Sequence, residues 1–112
     1  MTQPAPVHRE DGELVGFVTE SDGGWIAATV FGYPLSEHRS REDAEDALVG
    51  KGLSYLAERW ALKRDDVWMR AELVEASPAH VTVQLVDMSY PDRYGERVEL
   101  TAPVTEGLRL EH

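Results

Sequence analysis

Residues 40–64, with the sequence SREDAEDALVGKGLSYLAERWALKR, carry the helical pattern on which the fold prediction depends. At 100° per residue their apolar side chains fall on one half of the wheel, which predicts one long helix with a buried face. Ser40 is a suitable N-cap, and the acidic residues after it suit the positive end of the helix dipole. The predicted buried face comprises Ala44, Leu48, Val49, Gly52, Leu53, Leu56 and Trp60. Glu42, Asp46, Gly50 and Glu58 lie on or near the opposite face.

A β-hairpin is predicted before this helix, with strands at Glu13–Glu20 and Gly24–Phe31. Asp22-Gly23 lies between them and supplies the positive φ angles that a tight hairpin turn needs. Neither strand has a strongly polar face, so we expect both faces to be partly covered. Residues 32–39 are predicted to form a loop, because Pro34 removes a donor from any strand ladder.

The hydrophobic period changes from 3.6 to 2 after Asp65-Asp66, which indicates strands. Three half-buried strands are predicted at Val67–Glu75, His80–Met88 and Glu96–Ala102. The predicted fold is therefore α+β, with the order β-β-α-β-β-β in a single domain. One twisted antiparallel sheet would carry the long helix packed on one face.

The length of 112 residues suits one domain. We expect a flexible N-terminal arm at residues 1–12, a single α+β domain at 13–109, and an expression-tag remnant at 110–112. The first six residues, MTQPAP, lack the apolar region of a secretory signal, so the expected location is cytoplasmic.

The charge and the cysteine count exclude several classes of protein. There are 21 acidic against 11 basic residues, a formal net charge of −10, which argues against a nucleic-acid partner and against anionic membrane surfaces. The absence of cysteine excludes disulfides, thiolate nucleophiles and cysteine-based zinc sites. The acidic excess is greatest in the first half of the chain. It is either a solvated surface or an acidic face for a basic partner.

No catalytic, cofactor-binding or metal-binding residue is predicted. The histidines do not have the i, i+3 or i+4 spacing of a metal site. His38 lies near Ser36 and Ser40, but no nucleophile elbow is present. A solvated loop histidine is the favoured interpretation.

Asp87 is the carboxylate whose position most invites a function. It shares the strand parity of the inward residues Val83 and Leu85, and a buried carboxylate is a candidate for catalysis. The favoured interpretation is a position at the strand end, facing solvent or pairing with Arg93 or Arg97.

An apolar outward face is the main functional indication. Trp68 has the parity of the outward residues Arg70 and Glu72, and several apolar residues belong to the same outward set. The connection 90–94 places two tyrosines around an arginine, which suits protein recognition. The predicted interface comprises Trp68, Val74, Val86, Met88, Tyr90, Arg93 and Tyr94. This face is covered either by the N-terminal segments, or by a protein partner or second copy of the chain.

Residues 24–48 contain Trp25-Ile26-Ala27, Pro34, and Ser40 before Glu42-Asp43-Ala44. A hairpin, a proline-containing loop and a capped helix with an acidic start resemble HicB-like antitoxins. The three strands predicted beyond the helix are more than that pattern contains.

The expected function is that of a non-catalytic protein-interaction or self-associating module without cofactors. Two alternatives remain open. One is an acidic inhibitor, immunity-type or antitoxin-type partner of a basic protein. The other is a small-molecule binder with a pocket between helix and sheet near Asp87 or His38.

Overall fold

The computed structural model describes residues 3–111; Met1 and Thr2 of the predicted arm and His112 of the predicted tag remnant lie outside this range. The chain divides into two compact units, residues 1–55 and 56–112. Each unit has its own antiparallel sheet, of four and five strands respectively. The predicted α+β class, with antiparallel strands and a helix packed on a sheet, is confirmed. The strands are divided between two sheets, where the sequence predicted one.

The first unit is a four-stranded meander followed by a helix. Its elements are β1 (Ala5–His8), β2 (Leu14–Ser21), β3 (Gly24–Ala28), β4 (Pro34–His38) and α1 (Arg41–Lys51). The strands lie in the order β1-β2-β3-β4.

The predicted hairpin is present as β2 and β3, with Asp22 and Gly23 at positive φ in its turn. Two other predictions for this unit need correction. Residues 5–8 of the predicted arm form β1, because they pair with β2 and bury Val7. Residues 34–38 of the predicted loop form β4, and Pro34 fits there because it begins a strand at the edge of the sheet.

Helix α1 contacts all four strands of this sheet. Its N-terminus is capped as predicted, since Ser40 Oγ accepts a hydrogen bond from the backbone N–H of Asp43 at 3.1 Å. Ala44 and Leu48 are the buried residues of the helix. The core beneath the helix comprises Val7, Val15, Val18, Ala27, Ala44 and Leu48.

The helix ends at Lys51 rather than at Arg64. Gly52 takes a φ of 59°, and its N–H donates to Leu48 O at 2.7 Å, which closes the last turn. A 3₁₀ turn follows at Ser54–Ala57, and residues 59–64 form a strand. Trp60 is fully buried, as predicted, but it is buried from this strand.

The second unit is a five-stranded sheet. Its strands are β5 (Arg59–Arg64), β6 (Val67–Ala76), β7 (His80–Leu85), β8 (Arg97–Thr101) and β9 (Leu108–Glu111), in the order β8-β7-β6-β5-β9. A second 3₁₀ turn, Pro91–Arg93, lies between β7 and β8.

The three strands predicted after Asp65-Asp66 are present as β6, β7 and β8 with shifted ends. Leu110 and Glu111, from the predicted tag remnant, pair with Trp60 and Arg59 in β9. Asp65 and Asp66 have φ angles of 51° and 64°. They therefore form the two-residue turn of a β5–β6 hairpin.

Tyr55 joins two parts of the first unit that are distant in sequence. Its side chain is fully buried, and its ring meets Phe31 edge-on at a centroid distance of 6.3 Å. The hydroxyl accepts from the backbone N–H of Val30 at 3.1 Å and donates to Val15 O at 3.3 Å. Burial raises the pKa of Tyr55, so the hydroxyl keeps the proton that it donates.

We expect Tyr55→Phe to destabilise the fold by about 2 kcal/mol, because two buried backbone groups lose their partner while the ring packing is kept. Urea unfolding monitored by circular dichroism measures this change. Tyr94→Phe, at a side chain that is 52% exposed, is the control and should leave the midpoint unchanged. Equal stability of the two variants would contradict a structural role for the Tyr55 hydroxyl.

We expect opposite effects from two glycine substitutions. A Cβ at Gly16 would lie 2.2 Å from Ala28 O and 3.0 Å from Leu48 Cδ2, so Gly16→Ala should cost roughly 1–3 kcal/mol through overpacking. A Cβ at Gly50 in α1 meets nothing within 4 Å. Gly50→Ala should therefore stabilise the helix by about 1 kcal/mol. Thermal unfolding of both variants tests this, and the same sign of change for both would contradict the packing described for α1.

Candidate interaction surface

The sheet of the second unit has one buried and one exposed face. Cα partners in adjacent strands place their side chains on the same face. The buried face carries Trp60, Leu62, Met69, Ala71, Val81, Val83, Leu85 and Leu108. The other side, which we call the outer face, includes Arg59, Ala61, Lys63, Trp68, Arg70, Glu72, Gln84, Arg97, Glu99, Arg109 and Glu111. Of these, Ala61 is buried, Trp68, Gln84 and Glu111 are half-buried, and the others are exposed.

Trp68 lies among basic side chains on this face. Lys63 is its direct cross-strand partner on β5. The guanidinium carbon of Arg109, on β9, lies 4.2 Å from the centroid of the indole. This distance is within the range of a cation–π contact, which holds the arginine against the ring. Its Nε and Nη2 donate to Glu111 Oε1 at 3.4 and 3.3 Å.

Ala61 on β5 lies between two arginines of the adjacent strands, in the line of Cα partners next to that of Trp68. It pairs with Arg70 on one side and with Arg109 on the other. Strands lie about 4.8 Å apart, so the backbones of these arginines are about 10 Å apart across a residue with only a methyl side chain. Ala61 itself is only 1% exposed, so neighbouring side chains cover it, and Arg109 reaches across β5 to the indole of Trp68 on β6.

Four of the five basic residues of the outer face form no salt bridge. Arg59, Lys63, Arg70 and Arg97 have no such partner in the range 3–111. Arg109 contacts Glu111 at 3.3 Å, and Arg97 donates to Gln84 at 3.2 Å. We call Lys63, Trp68, Arg70 and Arg109 the basic cluster.

A groove of about 320 Å³ opens beside Arg70. Its lining includes Leu56, Glu58, Arg59, Arg70, Glu72 and Val86. The groove thus combines apolar and charged side chains of both signs. Such a surface suits a polypeptide chain better than a small apolar ligand.

The structure brings only part of the predicted interface together. Trp68 and Val86 lie at one end of the outer face, since the Val86 N–H donates to Arg70 O at 3.0 Å. Val74 is 43% exposed but lies in a β-bulge near the other end of β6, about 20 Å along the strand from Trp68. Met88, 81% exposed, follows β7 in the connection to β8. These residues do not form one continuous apolar patch, because charged residues lie between them.

The connection between β7 and β8 is held by ion pairs. Arg93 Nε donates to Glu96 at 2.6 Å, and its Nη1 donates to Asp65 in the β5–β6 turn at 3.0 Å. The Arg93 hydrogen bond lowers the pKa of Glu96. Tyr94 is exposed and Tyr90 is half-buried. Arg93 therefore fixes this connection in place, whereas Tyr94 is available for contact.

Asp87 is not a buried carboxylate. It accepts hydrogen bonds from the backbone N–H groups of Arg70 at 3.0 Å and of Ser89 at 2.9 Å. These bonds, with that of Arg70 the largest cause, lower the pKa of Asp87. The predicted position at the strand end is present, but the predicted pairing with Arg93 or Arg97 is not, since both arginines have other partners.

Sequence reasoning missed the basic character of the outer face. Lys63 falls within the predicted long helix, so the sequence pattern does not place it opposite Trp68. Arg109 belongs to β9, which was not predicted. The outward parity of Arg70 and Arg97 in their strands indicates basic side chains on this face, whereas the net charge of −10 favours the prediction of an acidic surface.

The other chemical candidates remain isolated. Ser36 Oγ and His38 Nε2 lie 2.7 Å apart on exposed β4, beside a separate groove of about 370 Å³. No group of three or more His, Asp or Glu side chains within residues 3–111 has the arrangement of a metal site. No helix in the described part of the chain is long and apolar enough to cross a membrane.

The chain matches no family model, no curated protein and no solved structure in the comparisons made with known proteins.

We expect Asp87→Ala to lower stability at neutral pH and to have little effect in acid. The pKa of Asp87 is lowered by folding, so its stabilisation is present above the unfolded-state pKa and is lost as the pH falls through the folded-state value. Urea unfolding at about pH 7 and about pH 2 measures the difference. Asp92→Ala, at an exposed residue of the same connection, is the control. A wild-type advantage that persisted unchanged at the acidic pH would contradict this account.

Proposed function

We propose that this protein is a non-catalytic protein-interaction module, and that its basic cluster receives an acidic segment of a protein partner. The observation that carries the proposal is Trp68 placed between Lys63 and Arg109 on an exposed sheet face. Tryptophan and arginine are the residues most enriched among those that dominate binding energy at protein interfaces.

The pre-organised arginine supports a carboxylate ligand. Arg109 is already held over the indole, so less conformational entropy is lost when its planar donors bind a carboxylate. A ligand carboxylate there replaces Glu111, which accepts from Nε and Nη2 at 3.4 and 3.3 Å. Arg70 lies across Ala61 from the Arg109 backbone and forms no salt bridge within the described residues. The Asp87 carboxylate, which accepts from the Arg70 backbone N–H, also interacts with its charge. One acidic segment therefore meets two cationic side chains, from strands whose backbones lie about 10 Å apart.

The mixed charge of the outer face favours a protein over a nucleic acid. Glu72, Glu99 and Glu111 are interspersed with the basic residues of the sheet. A phosphate backbone would meet these carboxylates along its path and would also be repelled by the net charge of −10. A short acidic peptide needs only the local cluster.

The proposal is tested with a fluorescein-labelled oligoglutamate peptide, titrated with the protein and followed by fluorescence anisotropy. We expect saturable binding that weakens as the salt concentration rises, because the contacts are charge–charge contacts. Lys63→Glu/Arg70→Glu should weaken binding by roughly tenfold or more, which corresponds to about 1.4 kcal/mol. Trp68→Ala should also weaken it.

The matched control is Arg39→Glu/Lys51→Glu, which makes the same change in net charge at exposed residues of the first unit. This variant should bind the peptide with an affinity within a factor of about two of the wild type. An equal loss in both double variants would assign the effect to net charge alone, and absence of binding by the wild-type protein at low salt would contradict the proposal.

A further inference from the structure

Helix α1 has an exposed ridge that the packing of the first unit does not use. Glu42, Asp46, Val49 and Gly50 are all exposed, on the side of α1 away from the buried Ala44 and Leu48. Val49, which is 44% exposed, adds an aliphatic side chain to this surface. We call these four residues the helix ridge.

The two acids of the ridge are free to meet a partner. Neither Glu42 nor Asp46 takes part in a salt bridge within residues 3–111; Arg41 pairs with Glu45 instead. They are four residues apart in a helix, so they lie one above the other on the same side, about 6 Å apart. Gly50 lies one helical turn beyond Asp46 on the same side of α1 and has no side chain. A Cβ there would have no neighbour within 4 Å.

The helix ridge and the basic cluster are complementary in charge, apolar content and spacing. Two unpaired acids on the ridge correspond to Lys63 and Arg70 on the outer face, and the exposed Val49 corresponds to the indole of Trp68. The two acids are about 6 Å apart along the helix. Lys63 and Arg70 are diagonal neighbours on adjacent strands, about 7–8 Å apart.

We propose that the partner of the basic cluster is the helix ridge of a second copy of this chain. This inference rests on the proposed function and specifies its acidic segment. Both surfaces are exposed in one chain, so each copy offers one basic cluster and one helix ridge. Because Gly50 has no side chain, the exposed side of α1 in one copy can approach the outer face of the other copy closely.

The association is measured by sedimentation velocity over a concentration series, at about 0.02 M and about 0.5 M salt. We expect the wild-type protein to associate at low salt and to dissociate at high salt. The basic-cluster variant Lys63→Glu/Arg70→Glu and the ridge variant Glu42→Lys/Asp46→Lys should each associate at least tenfold more weakly, because each would place like charges in contact.

The decisive measurement is the equimolar mixture of these two variants. The reversed ridge is basic and the reversed cluster is acidic, so the mixture should associate where neither variant does so alone. Circular dichroism verifies that both variants are folded. If the lysines destabilise α1, the neutral variant Glu42→Gln/Asp46→Asn should still weaken association. The matched controls are Arg39→Glu/Lys51→Glu and Glu20→Lys/Glu106→Lys, which change the net charge equally at other exposed positions.

The outcomes separate this inference from the proposed function. A wild-type protein that stays monomeric at every concentration, but binds oligoglutamate through the basic cluster, would overturn self-association and leave the interaction module standing. Association that neither variant weakens, or a mixture that does not associate, would also overturn it. A wild-type protein that neither binds oligoglutamate nor associates with itself at low salt would contradict both proposals.

Discussion

The register of β5 against β6 is the constraint on which the candidate surface depends. The pairing of Trp60 with Ala71 and of Leu62 with Met69 keeps apolar residues on the buried face. The same register brings Lys63 opposite Trp68 on the outer face. Because side chains alternate with a period of two, a slip of one residue would bury the charged set and expose the core. The two-residue turn at Asp65-Asp66 fixes this register.

Net charge proves a poor guide to the local surface of this protein. The whole chain has a formal charge of −10, yet the outer face of one sheet gathers basic residues from four different strands. These residues are dispersed in the sequence and come together only through antiparallel pairing. A chain with both a basic cluster and an acidic helix ridge can attract a copy of itself. Long-range repulsion between the equal net charges opposes this association, and short-range charge complementarity favours it.

Local patterns predicted several elements correctly, for physical reasons that are visible in single residues. Asp22-Gly23 supplied the turn of the β2–β3 hairpin, and Ser40 capped α1. The alternation after Asp66 gave three strands and the correct buried side for Val81 and Val83. The length of the helix was predicted incorrectly. Residues 53–60 continue an apolar pattern compatible with a helix, but Gly52 ends α1 and long-range pairing makes 59–64 a strand.

The sequence by itself determined the hairpin, the helix start, the alternating strands and the outward position of Trp68, because each depends on local chemistry or on a short period. Only the tertiary structure decided that there are two sheets, that residues 5–8 and 34–38 are strands, and that Arg109 stacks on Trp68. Edge strands are formed by hydrogen bonds to partners elsewhere in the chain, and the contact between Arg109 and Trp68 joins residues far apart in sequence. Contacts of this kind leave no periodic pattern in the sequence, so the basic cluster could be identified only from the tertiary structure.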